Sequence, residues 1–167
     1  NGNQDIFVAK INSAGVFQWA VNVGGTNNDK GIGMTVTDSG DCYLTGFYTT
    51  SATFGSTTLT STTSSVDIFV AKINSAGAWQ WATQPNWGSY GTTNEDWGQS
   101  IATDSGGNSY ITGKFRGSVT FGATTLTSAG NDDIFIAKLN SSGTWQWAVQ
   151  ATAGAGLDRG IDIATTS

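Results

Sequence analysis

Three stretches decide the fold. Residues 5–20 read DIFVAKINSAGVFQWA, residues 67–82 read DIFVAKINSAGAWQWA, and residues 133–148 read DIFIAKLNSSGTWQWA. The first two agree at 14 of 16 positions, and the copies start at 5, 67 and 133, intervals of 62 and 66. A fixed interval of this size marks a repeat architecture. Within each copy, β-branched or aromatic residues alternate with small or charged ones from Ile6 to Ile11, the pattern of a strand. Asn12-Ser13-Ala14-Gly15 supplies turn chemistry, and Phe17-Gln18-Trp19-Ala20 returns as the partner strand. Each copy is therefore a hairpin.

Two more segments recur in phase. GIGMTVTDSGDCYLTGF at 31–47 matches GQSIATDSGGNSYITGKF at 98–115, and GIDIATTS at 160–167 begins the same segment again. This is a second hairpin, turning at Asp38-Ser39-Gly40 and at 104–108. TFGSTTLTS at 53–61 returns as TFGATTLTS at 120–128. It is expected as an extended excursion along the edge of the unit. Two hairpins give four antiparallel strands per unit, with no helical period. The fold class is all-β: β-propeller blades, four-stranded antiparallel units repeating every 62–66 residues. The units are 1–30 (second half of a blade plus loop), 31–97 and 98–159 (complete blades plus loops), and 160–167 (first strand of a further blade). A chain that opens and closes part-way through a unit is expected to be a slice of a longer polypeptide or one of several associating copies.

Composition agrees. The 167 residues carry 7 Trp, 8 Phe and 4 Tyr but only 11% charged residues, and Ser and Thr number 17 and 25. That much aromatic content argues against disorder. A net charge of −5 with 7 scattered Lys and Arg argues against nucleic acid, which needs a basic face. No apolar run approaches the roughly 20 residues that span a bilayer. One Cys excludes an intramolecular disulfide framework. His is absent, which removes the commonest general base.

The ordered string GIxxxTDSGxxYxTGxF, TFGxTTLTS, DIFVAKINSAGxWQWA resembles the bacterial "seven-bladed beta-propeller" (SBBP) repeat family along nearly the whole chain. The resemblance implies four-stranded blades in large secreted or cell-surface proteins. It implies no catalytic residue and no cofactor.

The candidate sites lie on loops and edges. The 84–97 loop, four residues longer than its counterpart at 150–159, carries Trp87, Tyr90, Asn94 and Trp97. Aromatics beside amides suit a glycan or a protein partner. Asp29, Asp96 and Asp158 recur as D-x-G. They are candidate ligands for a weakly held Ca²⁺, without EF-hand spacing, and Asx-turn hydrogen bonding competes for the same carboxylates. Asp5, Phe7, Ile161 and Ile163 mark open strand edges, which invite other copies of the chain. Trp79/Trp81 and Trp145/Trp147 lie two apart. They are expected on one strand face, filling the space between blades. Lys10, Lys72 and Lys138 are expected to pair with acids or to keep strand faces soluble. Cys42 is expected as a small buried hydrophobe.

No Ser–His, Cys–His or zinc spacing is present, and the one Glu, Glu95, adjoins Asp96. The expected function is a non-enzymatic extracellular or surface scaffold, with neither nucleic acid nor membrane insertion. The alternative is a glycan-binding propeller that uses the 84–97 loop.

Overall fold

The computed structural model describes residues 2–61, 65–87, 95–151 and 156–166. Tyr90 and Asn94 lie outside the described residues. Among the described residues the strands are β1 (Ile6–Ile11), β2 (Phe17–Val23), β3 (Lys30–Val36), β4 (Cys42–Thr49), β5 (Ser51–Phe54), β6 (Thr57–Thr60), β7 (Val66–Ile73), β8 (Trp79–Thr83), β9 (Asn86–Trp87), β10 (Trp97–Thr103), β11 (Ser109–Phe115), β12 (Ser118–Phe121), β13 (Thr124–Thr127), β14 (Asp133–Leu139) and β15 (Trp145–Ala151). Two four-stranded antiparallel meanders result, in the orders β3-β4-β7-β8 and β10-β11-β14-β15, beside the two-stranded β1-β2. These are propeller blades. Among the described residues no helix is long and apolar enough to cross a membrane.

Local chemistry builds the hairpins. Asn74 Oδ1 accepts the N–H groups of Ala76 (3.1 Å) and Ala78 (2.9 Å), and Asn12 and Asn140 do the same in their copies. One side chain thus pegs a whole turn. Gly77 closes it at a φ of 83°, a conformation that costs any other L-residue steric strain.

The TFGxTTLTS segment is not an extended excursion. It folds back as a hairpin, β5-β6 in one blade and β12-β13 in the next. The outer strand latches it: Gln84 Nε2 donates to Thr60 O, and Gln150 Nε2 donates to Thr127 O, both at 3.0 Å. Phe54 then meets Trp79 edge-on at 5.2 Å, and Phe121 meets Trp145 at 4.9 Å.

The paired tryptophans do not share a face. Trp81 lies opposite Lys72 but Trp79 lies opposite Ile73, so Gln80 is the extra residue of a β-bulge. The same bulge recurs at Gln18 and Gln146. One extra residue inverts the alternation. Trp79 therefore packs into the cluster of Leu44, Phe54, Phe69, Ala71 and Ile73. Trp81 packs into the cluster of Ile68, Val70, Phe135, Ala137 and Leu139. These two clusters are the cores between successive sheets.

Blades also approach closely at their inner strands. A Cβ on Gly98 would strike Thr45 of the preceding blade, and one on Gly160 would strike Thr112. Residues 160–166 thus lie where a first strand belongs but form no strand. They are held by Gly160 N–H on Gly113 O (3.1 Å), Ser100 Oγ on Asp162 (2.6 Å) and Thr165 Oγ1 on Thr103 O (2.9 Å).

Candidate functional site

The loop end of the blades gathers several of the residues expected to matter. Asp29 and Asp96 stand immediately before β3 and β10. Both are buried, with about 1% of their surface exposed. Asp29 accepts the Gly25 N–H (2.6 Å) and the Thr49 N–H (3.1 Å), and Asp96 accepts the Arg116 N–H (2.7 Å). Each carboxylate clamps the start of a first strand to the end of the second. Burial raises the Asp29 pKa and pushes that of Asp96 up to about 8, the Arg116 N–H opposing. Asp158 is half-buried, and its Oδ2 has no hydrogen-bond partner among the described residues. Asp29 and Asp96 thus serve two separate junctions, while Asp158 donates its backbone N–H to Asp132 O at 2.9 Å. Among the described residues no group of three or more His, Cys, Asp or Glu side chains converges.

Trp97 opens β10 and stacks on Phe47 with centroids 5.5 Å apart. The Lys114 ammonium lies 4.4 Å from the ring centroid and the Arg159 guanidinium 5.8 Å. Lys114 is nearly buried. It pairs with Asp132 at 2.9 Å and with Glu95 at 3.8 Å, and Arg116 reaches the other Asp132 oxygen at 2.8 Å. The ring is engaged by stacking and by cations. Trp87 pairs with Val119 through β9 and packs against the core, its indole N–H buried without a partner among the described residues. Trp97, Asp158 and Ile161 line one open depression of about 450 Å³ with Lys114, Asp132 and Arg159. Ile163 is half-buried, and Ile161 is exposed.

Sequence reading missed Lys114, Arg116 and Asp132. The signal was a break in the repeat: Lys114 falls where the preceding copy has Phe47, and they are the cross-strand partners of Trp97 and Lys30.

The opposite end carries a wider groove of about 570 Å³, lined by Thr37, Asp38, Asp41, Lys72, Thr103 and Asp104 among others. Asp41, Lys72 and Asp104 are committed locally. Lys72 pairs with Asp41 at 3.0 Å, within its own blade rather than across to a neighbour. Asp104 accepts from the Asn108 side chain and from the backbone N–H groups of Gly106 and Asn108, which hold its pKa below the usual carboxylate value. Lys10 donates to Ser75 O of the next blade (3.3 Å), and Lys138 lies 5.0 Å over the Tyr110 ring. Cys42 is free and half-buried rather than fully buried, with its pKa raised by burial. At the edges, Phe7 projects from β1 in the open and Asp5 precedes it, also exposed.

Residues 80–114 match the family model of SBBP, the beta-propeller repeat. The matched SBBP span runs from β8 of one blade to β11 of the next, so it crosses the junction that holds Asp96 and Trp97. It agrees with the resemblance drawn from the repeated motifs. No curated protein matches the chain.

Proposed function

We propose that this chain is a non-enzymatic scaffold module of an extracellular or cell-surface protein, built from SBBP-type propeller repeats. One observation carries the reading: most of the charged side chains gathered at the loop end are spent on fixing strands and turns within their blades. Asp29 and Asp96 bind backbone N–H groups, Asp104 shapes a turn, and Lys114 and Arg116 neutralise Asp132. Low charge and a Thr-rich surface suit rigid display outside the cell, with contacts made by loops and strand edges. The engaged rings of Trp87 and Trp97 support structure more than sugar stacking. The test is surface labelling of intact source cells with an antibody to this module, followed by protease shaving. Labelling that protease removes is expected. Signal found only after lysis would overturn the reading.

A further inference from the structure

The third hairpin turn departs from the other two by one residue. The turns read Asn-Ser-Ala-Gly at 12–15 and at 74–77 but Asn-Ser-Ser-Gly at 140–143, so Ser142 stands where the earlier copies have Ala14 and Ala76. That one change gives Asn140 a hydroxyl two residues on, with Ser141 between them. An asparagine followed two places later by Ser or Thr, with no proline between, is the acceptor pattern for an asparagine-linked glycan. Asn12 and Asn74 sit in the same turn without it.

The added hydroxyl is placed on the asparagine itself. Asn140 Oδ1 accepts the Ser142 N–H at 3.1 Å and the Thr144 N–H at 3.0 Å, bonds that Asn12 and Asn74 also make. It further accepts the Ser142 hydroxyl at 2.8 Å, which an alanine there cannot supply. Three donors thus hold the carbonyl end of this amide, and Nδ2 donates to none of the described residues. Hydrogen bonds to Oδ1 draw electron density from the nitrogen and make its protons easier to lose. Ser141 and Ser142 are exposed and Asn140 is half-buried. Neighbouring sheets do not close such a turn. Asn74 belongs to the blade that is packed on both faces, yet it too is half-buried, and Ala76 beside it is exposed.

We propose that Asn140 is an acceptor for an N-linked glycan. The donor class is a saccharide carried on a diphosphate. Nδ2 attacks the anomeric carbon, and the new carbon–nitrogen bond forms as the carbon–oxygen bond to the diphosphate breaks. The diphosphate leaves with that electron pair, and one Nδ2 proton passes to a base of the transferase. Ser142 is a positioning residue: its hydroxyl holds Oδ1 and leaves Nδ2 as the reacting end. The assignment rests on the extracellular reading of the chain, because this pattern is used on surface loops of exported proteins.

The test is peptide mapping by mass spectrometry of the chain purified from its source cells. The peptide that holds Asn140 is expected to carry the added mass of a saccharide, and the peptides that hold Asn12 and Asn74 are expected bare. Asn140→Gln and Ser142→Ala should each lose the saccharide, while Ser142→Thr keeps it. Ser142→Ala restores the turn already present at 12–15 and 74–77, so its circular dichroism should match the parent. A bare Asn140, or a saccharide that survives Ser142→Ala, would overturn the assignment. A bare Asn140 on chains that a surface label reaches would leave the scaffold reading standing. A modified Asn140 on chains that no surface label reaches would uphold the acceptor and remove the extracellular reading.

Discussion

Asp96 shows how a single residue couples this fold to pH. Its carboxyl is pushed from 3.8 to about 8, chiefly by burial. The Arg116 N–H and Lys114 pull it back, and Asp67 and Asp132 push it further. The folded chain therefore holds a proton that the unfolded chain releases at the ordinary carboxylate value. Folding takes up a proton between those limits, so stability is greatest at the acidic end of this window. It falls as pH rises toward 8 and levels off above. Asp96→Asn keeps an oxygen for the Arg116 N–H and carries no charge. Urea melts at pH 5, 7 and 9 should show a shallower pH dependence for this variant than for the parent. Parallel profiles would mean that Asp96 is not the titrating group. The sequence offered Asp96 as a D-x-G residue, but its protonation follows from burial by another strand, which no local pattern carries.

The hairpin turn is the element on which the sheets interlock. Asn pegs the turn, Gly supplies the positive φ, and the preceding sheet's Trp caps it. The two outer copies separate these effects. Gly15→Ala meets open space and bears only the left-handed backbone strain, about 1–2 kcal/mol. Gly143→Ala bears the same strain and also forces a methyl into the Trp81 ring, which adds roughly 1–3 kcal/mol of overpacking. Thermal melts of the two variants should place Gly143→Ala clearly lower. Equal melting temperatures would show that the indole gives way freely. The turn itself was legible from Asn-Ser-x-Gly. Its capping by Trp was not, because that contact spans about one repeat.

For the whole molecule, stability is expected to grade from sheet to sheet. Repeat arrays are held by nearest-neighbour interfaces. β7 is packed on both faces, and β1-β2 on one. An isolated two-stranded sheet is marginal in water. Hydrogen exchange should therefore be slowest in β4, β7, β11 and β14, and fastest in β1 and β2. Uniform protection would instead indicate a single cooperative unit. Although it did not determine the β5-β6 and β12-β13 hairpins, the sequence by itself determined the blade strands β1 to β4, β7, β8, β10, β11, β14 and β15, their order, the four-strand unit and the Asn turns. These depend on residues within a few positions of one another and on a repeat that can be read by eye. The tertiary structure alone decided which tryptophan faces which sheet, because one bulged glutamine inverts the alternation. It also decided that Lys114 would cover Trp97 and that Asp96 would be buried. Those outcomes are set by the register and approach of strands a whole repeat away, where spacing along the chain carries no distance.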